Sequence, residues 1–299
     1  MTDLLVHKLA EEAALPRTRL DVDYNARATV TVERFDEIMA QANAISQEAL
    51  AHYATFKDVI YDEQSQQKLD ISGTVTGELR PAFIFIHGGY WKALSKEESS
   101  FMAGFLQAHQ VATVAVEYTL APQASLREIV RQVRASIAYL WQHGREHGID
   151  PNRLYVGGSS AGGHLAGCVI AGGWQAEFNV PDNVIKAALP LSGLFHLTPI
   201  ANCFAQEWLD LTPADVKALS PAENLPSQGC PIIVAYAEGE AAGFKRQSID
   251  YHQSWLDAGF KSEIFEIKGR NHFDIVLDLA EPNSLLGQAL LRLIADNPS

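Results

Sequence analysis

The sequence has little cysteine and no two cysteines close together. Only Cys168, Cys203 and Cys230 occur in 299 residues, and none of them forms a C-x-x-C pair. A zinc ribbon or a thioredoxin-type redox site needs such a pair, so both are excluded. Cys168 lies in an apolar helical run and Cys230 precedes a strand, which favours reduced core thiols in a cytoplasmic protein.

Long hydrophobic runs and an excess of basic residues are also missing. No stretch approaches the roughly 20 apolar residues of a transmembrane helix, and acidic residues interrupt the N-terminal stretch where a signal peptide would be apolar. The formal net charge is -13, whereas a nucleic-acid-binding surface needs a basic patch. We therefore expect a cytoplasmic protein with neither nucleic-acid nor membrane partners.

Metal and phosphate motifs are absent as well. The chain contains no H-E-x-x-H and no G-x-x-x-x-G-K-[ST]. The glycines of 157–163 lack the G-x-G-x-x-G spacing of a dinucleotide site. We expect neither a metal nor a cofactor.

Short apolar strands that alternate with helices are present instead. Two strands around a turn are predicted over 57–73, and further strands are predicted at 82–89, 111–118, 153–159, 184–193, 230–239 and 261–269. Continuous apolar strands between helices indicate an α/β fold, with a mostly parallel central sheet and helices on both faces.

Two segments depart from this alternation. Residues 1–56 are polar and helix-rich, and we expect them to form an N-terminal cap. Apolar residues three and four positions apart predict one amphipathic helix there, at Phe35, Ile38, Met39, Ala42, Ile45 and Leu50. Residues 57–299 then form one α/β domain. Residues 194–229, rich in Pro, Leu and Trp, are predicted as an insertion over a sheet edge, where α/β folds bind ligands.

Ser160 is the predicted nucleophile. Residues 158–162 read G-S-S-A-G, which fits G-x-S-x-G with Ser160 at the centre, whereas Ser159 does not fit that register. The motif lies between a predicted strand and a predicted helix, as the sharp turn of a nucleophile elbow requires. A glycine-rich helix start with an N-cap serine is the simpler alternative.

A serine needs a base, and the base needs an acid, both of which should follow it in the chain. Among the four histidines after Ser160, only His272 comes directly after the last strand, so we predict it as the base. The acid should follow the strand "PIIVAYA", where Glu238 and Glu240 both occur. We favour Glu240, since it lies further past the strand end, and Glu238 stays open.

The "HGGYW" segment after the first buried strand is the predicted oxyanion loop. Its glycines let the backbone approach a bound oxygen, so we predict the N–H groups of Gly88 and Gly89 as donors. The N–H of Ala161, the residue after the nucleophile, is the other predicted donor. Tyr90 and Trp91 are predicted as an aromatic wall of the substrate pocket, although either could instead be core.

Several separate motifs resemble one family. "DYNARATV", "HGGYW", "VEYTLAP", "GGSSAGGHLAG", "LSGLFHLTPI", "GFKRQS" and "NHFDIV" together resemble the kynurenine formamidase (arylformamidase)-like branch of the α/β-hydrolase superfamily. That branch is related to the hormone-sensitive-lipase-type esterases. The resemblance covers most of the chain and implies the α/β-hydrolase fold.

The family's site carries over by motif. Its nucleophile falls on Ser160, its histidine on His272, and its loop donors on the two glycines. The family acid, four residues before the phenylalanine of F-x-R-Q-S, here Phe244, falls on Glu240. The chain departs from the family with Glu in place of Asp and with G-S-S-A-G in place of G-H-S-A-G.

The resemblance implies hydrolysis of N-formyl-L-kynurenine to kynurenine and formate, without metal or cofactor. Phe195, Phe204 and Trp208 of the insertion would then help to form an aromatic pocket, unless they are core. A carboxylesterase acting on small or aromatic esters is the alternative, and an inactive binding protein is a remote one. A small molecule is the expected partner, and an exposed edge strand would also allow a homodimer.

Overall fold

The computed structural model describes residues 11–12 and 14–298 and has a single central β-sheet in these residues. Eight strands are present in these residues: β1 Ala54–Asp62, β2 Gln67–Ser72, β3 Arg80–Ile86, β4 Ala112–Val116, β5 Ile149–Ser159, β6 Ile185–Leu191, β7 Ile232–Ala237 and β8 Ser262–Ile267. Their spatial order is β1-β2-β4-β3-β5-β6-β7-β8. The pairs β1/β2 and β2/β4 are antiparallel and all others parallel, so the predicted mostly parallel sheet is confirmed.

Helices fill the connections between these strands. They are α1 Arg17–Asp23, α2 Val32–Tyr53, α3 Ala103–Ala108, α4 Leu126–His143, α5 Ala161–Ile170, α6 Thr198–Ala201, α7 Gln206–Leu209, α8 Pro213–Leu219, α9 Ala242–Asp257 and α10 Leu285–Asp296. Short 3-10 helices occur at Ala26–Thr29, Lys96–Glu98, Gly144–His147, Pro221–Glu223 and Ile275–Ala280. Serine or threonine side chains cap α2, α4 and α10, which fixes where these helices begin.

The sheet is buried on both faces. In β3, Ile84 packs in one core cluster with residues of α4, α5 and α9, whereas Phe83 and Phe85 pack in a second with residues of α3 and α10. Successive side chains of a strand point to opposite faces, so a strand covered on both sides must be apolar throughout. This explains the continuous apolar runs of the sequence.

The N-terminal segment packs against the sheet domain through ion pairs. Arg246 of α9 bonds to Glu12 at 2.7 Å and to Asp23 at 2.8 Å. Arg34 of α2 reaches Asp274, in the loop after β8, at 3.1 Å. These contacts hold α1 and α2 above the carboxyl ends of the parallel strands.

Candidate active site

Ser160 lies at a sharp turn between β5 and α5. Its φ of 59° and ψ of -116° are strained for a residue with a side chain. A Cβ atom at Gly158 would lie 2.4 Å from the carbonyl oxygen of Gly162, and one at Gly162 would lie 2.0 Å from that of Ile86. Only glycine fits at both positions, which is the steric requirement of the motif.

Glu240 and His272 lie next to each other in the loops after β7 and β8. Oε1 of Glu240 is 3.5 Å from Nδ1 of His272, and both side chains are buried. The same carboxylate oxygen accepts hydrogen bonds from the Ser192 hydroxyl and, at 3.0 Å, from the N–H of Ala237. The carboxylate is therefore fixed on the Nδ1 side of the imidazole, which leaves Nε2 available for proton transfer.

Glu238, the alternative acid, points away from His272. Its carboxylate lies 3.2 Å from Nζ of Lys268 and accepts a 3.1 Å hydrogen bond from the N–H of Gly269. These contacts lower its pKa, the Gly269 hydrogen bond most strongly. The side chain is 49% exposed. The geometry thus favours Glu240 as the partner of His272.

The loop after β3 presents backbone donors beside the serine. Gly89 has a φ of 92°, and a Cβ atom there would lie 2.1 Å from the carbonyl oxygen of Ala93. No described residue accepts a hydrogen bond from the N–H of Gly89 or of Ala161. The Tyr118 hydroxyl donates to the carbonyl oxygen of Gly88 at 3.1 Å and so fixes the loop. Two N–H groups are left to bind a developing oxyanion.

A cavity of about 490 Å³ lies beside these groups, although neither Ala161 nor Glu240 is part of its lining. Ser160, His272, Gly88 and Gly89 all line it. Its aromatic walls are formed by Phe35, Phe85, Tyr90, Phe101, Phe204, Trp208 and Phe273. Such a volume, mostly apolar with a few convergent polar groups, is typical of a small-molecule site.

Two aromatic residues predicted for the pocket lie elsewhere. Trp91 is fully buried, and its indole N–H donates to Nδ1 of His164 at 3.2 Å. Phe195 stacks on Tyr251 with ring centroids 3.9 Å apart. Both are core residues, whereas Tyr90 does line the cavity.

The remaining histidines after the serine are bound to other partners or isolated from the cavity. Nε2 of His164 lies 2.8 Å from the carbonyl oxygen of Leu219. Burial lowers the pKa of His164 to about 4. Burial also lowers the pKa of His196 to about 4. Nδ1 of His252 lies 2.7 Å from the hydroxyl of Ser262. None of the three lines the cavity.

Sequence reasoning missed two sets of contacts at this site. It did not identify Ser192, whose hydroxyl donates to Glu240. It also did not place Asn25, Arg27 and Met39 of the N-terminal segment in the cavity wall, where the structure has them. The sequence feature that pointed to this part of the cavity wall was "DYNARATV", one of the motifs that resemble the family.

Within residues 11–12 and 14–298, no cluster of three or more His, Cys, Asp or Glu side chains could hold a metal ion. A search of the same residues for a helix long and apolar enough to cross a membrane also found none.

Comparison with known proteins shows the family to which the chain belongs. Residues 69–205 match the family model BD-FAE. Kynurenine formamidase of Salmo salar is 35% identical over 248 residues, which are 80% of this chain and 82% of the relative. Kynurenine formamidase of Danio rerio is 31% identical over 96% of this chain and 99% of the relative. The chain belongs to the kynurenine formamidase family.

Solved structures agree on the fold of this family member. An esterase from Pyrobaculum calidifontis superposes with a TM-score of 0.72 at 16% identity, over 99% of both chains. The predicted α/β-hydrolase fold is therefore confirmed. The protein is a serine hydrolase of the arylformamidase-like or esterase kind, as the sequence predicted.

Proposed function

We propose that this member of the kynurenine formamidase family hydrolyses the formamide of N-formyl-L-kynurenine to formate and kynurenine. One observation carries the proposal: Ser160 and the Glu240–His272 pair meet at a cavity with aromatic walls. An aryl formamide offers a very small acyl group and a flat aromatic leaving group. The names of the two fish relatives point to the same substrate.

Catalysis begins with attack of Ser160 Oγ on the formyl carbon. Nε2 of His272 takes the hydroxyl proton as the new C–O bond forms. The carbonyl oxygen becomes an oxyanion, which the N–H groups of Gly89 and Ala161, with Gly88, stabilise. Loss of one such donor typically costs about 3 kcal/mol of transition-state stabilisation.

The intermediate collapses when His272 returns the proton to the leaving amine nitrogen. The C–N bond breaks, the aryl amine departs and a formyl ester remains on Ser160. Water then attacks this ester while His272 accepts its proton. His272 returns this proton to Ser160 Oγ as the acyl C–O bond breaks, and formic acid leaves and ionises to formate. Glu240 holds the imidazole in the required tautomer and stabilises its cationic form in both steps.

The aromatic walls support an aromatic leaving group. Tyr90 contacts Phe204 and Trp208 edge to face, with ring centroids 5.5 Å and 6.0 Å apart. On the other side Phe35 contacts Phe273 in the same way at 4.9 Å. Aromatic rings stack favourably against such walls, so we place the substrate ring between them.

The test is a comparison of kcat/KM for N-formyl-L-kynurenine, p-nitrophenyl acetate and p-nitrophenyl butyrate. We expect the formamide to exceed both esters by about a hundredfold or more, since a site built for one leaving group discriminates by several kcal/mol. Turnover of the esters alone would contradict the formamidase proposal and leave a carboxylesterase with the same catalytic residues.

A further inference from the structure

Two cationic side chains line the cavity without a carboxylate partner. Arg27, in the 3-10 helix Ala26–Thr29, is half-buried, and Lys92, just after the oxyanion loop, is exposed at its rim. Neither forms an ion pair with any carboxylate of the described residues. The acidic residue of the lining, Glu98, accepts two hydrogen bonds from Ser95 in a helix cap. Hydrogen bonds from Ser95 leave the carboxylate of Glu98 charged, so the described lining has two cations against one carboxylate, an excess of one positive charge.

An aromatic series connects Arg27 to the catalytic histidine. The guanidinium lies 4.5 Å from the ring centroid of Phe35. Phe35 contacts Phe273 at 4.9 Å, and Phe273 contacts the imidazole of His272 at 5.4 Å, both edge to face. One wall of the cavity thus runs from the proposed base to a cation.

A second series of aromatic contacts connects Lys92 to His272. Nζ of Lys92 lies 3.5 Å from the ring centroid of Trp208. Trp208 contacts Tyr90 at 6.0 Å, Tyr90 contacts Phe244 at 6.2 Å, and Phe244 contacts His272 at 4.3 Å. Phe244 is buried and is not part of the cavity lining, whereas the other residues of this series line the cavity.

The guanidinium of Arg27 has N–H groups that can donate hydrogen bonds to a ligand. Its Nη1 donates one hydrogen bond, to the carbonyl oxygen of Val30 at 3.0 Å. A guanidinium carries five N–H groups in a planar fork that matches a carboxylate. Stacking on Phe35 holds that fork in place, which lowers the entropic cost of binding an anion.

We propose that Arg27, assisted by Lys92, binds a carboxylate on the leaving-group side of the substrate. The inference rests on the proposed function: a formyl group has no substituent, so any charged group must belong to the amine. Arg27 and Lys92 are the new assignment, and they would bind the carboxylate of the substrate that the proposed function names. Neutral aryl formamides lack this contact.

The test is isothermal titration calorimetry with two probes, L-kynurenine and kynuramine. They share the aryl ketone and the ammonium group, and only L-kynurenine has the carboxylate. For the wild-type protein we expect the Kd of L-kynurenine to be about tenfold lower or more, as for a charge-assisted hydrogen bond. Arg27→Gln removes this difference, Arg27→Lys restores part of it, and Lys92→Gln reduces it.

Lys57→Gln is the matched control, because Lys57 is exposed on β1 and lies outside the cavity lining. It should leave both Kd values unchanged. Equal Kd values for the two probes in the wild type, absence of binding, or a similar increase for both probes in Arg27→Gln would overturn the proposal. Calorimetry needs no turnover, so an anion site found in a protein that does not hydrolyse N-formyl-L-kynurenine would refute the proposed function alone.

Discussion

Oε1 of Glu240 lies 3.5 Å from Nδ1 of His272, while the second carboxylate oxygen, Oε2, is buried without a partner among the described residues. A buried carboxylate is costly unless a charge or hydrogen bonds compensate it. The imidazolium that forms during catalysis would supply that charge. With His272 as the predicted base, the buried negative charge of Glu240 would be compensated more fully in the transition state than in the resting enzyme, which would lower the activation barrier.

Glu240→Gln should remove this gain. We expect kcat on an aryl formamide to fall by about a thousandfold or more, because an amide neither fixes the tautomer of His272 nor stabilises its cation. Glu238→Gln is the matched control, since Glu238 is exposed and bonded to Lys268. Steady-state kinetics on both variants decides the assignment. A larger loss in Glu238→Gln than in Glu240→Gln would reverse it.

Ser192→Ala should affect the same step indirectly. The Ser192 hydroxyl donates to Oε1 of Glu240, and Ser192 is fully buried. Removing a hydrogen bond to a charged group costs about 1.5–3 kcal/mol, so we expect kcat to fall about tenfold to a hundredfold. KM should change little, since Ser192 is not part of the cavity lining. A rise in KM with unchanged kcat would contradict a positioning role.

Buried histidines should make the fold sensitive to acid. Burial lowers the pKa of His164 to about 4, whereas an unfolded histidine titrates near 6.5. The unfolded chain thus binds the proton first. The stability contributed by neutral His164 is complete above about pH 6.5 and is lost as the pH falls towards 4. The slope for one such histidine is at most about 1.4 kcal/mol per pH unit.

Urea unfolding between pH 7 and pH 4.5 measures this slope. His164→Gln should flatten it, because glutamine can accept the hydrogen bond of the Trp91 indole without titrating. The buried His196, whose pKa is lowered in the same way, accounts for a further part of the wild-type slope. If the variant and the wild type show the same slope, His164 does not carry the effect.

A fluorophosphonate probe should label Ser160. The reaction needs a serine activated by a competent base, so a peptide map should place the adduct on Ser160 and not on the adjacent Ser159. His272→Ala should abolish labelling, and His252→Ala should not, because His252 lies in α9 and is not part of the cavity lining. Labelling that persists in His272→Ala would rule out His272 as the base.

Local sequence was sufficient for the parts of the site that depend on local sterics. The turn at Ser160 requires glycine at 158 and 162, so the motif identifies the turn by itself. The alternation of apolar strands with helices likewise predicted the sheet. Contacts between distant segments were not predictable. Nothing near Ser192 in the sequence indicates that its hydroxyl reaches Glu240, since the two meet only when β6 and β7 pair.

Side-chain direction was the other limit. Tyr90 and Trp91 are adjacent aromatics, but both have positive φ values, 53° and 58°, in a loop whose path the sequence does not specify. Tyr90 enters the cavity wall and Trp91 enters the core. Arg27 reaches the cavity through long-range contacts of the N-terminal segment, among them the ion pairs of Arg246 and Arg34, which the local sequence does not indicate.

The most direct measurement of the central claim is the release of kynurenine from N-formyl-L-kynurenine by the wild type and by Ser160→Ala. We expect steady turnover by the wild type and a loss of about a thousandfold or more in kcat for the variant, with the melting temperature unchanged. Ser136→Ala, which removes a buried serine hydroxyl of α4, is the control and should stay active. An active Ser160→Ala enzyme would contradict the assignment of Ser160 as the nucleophile.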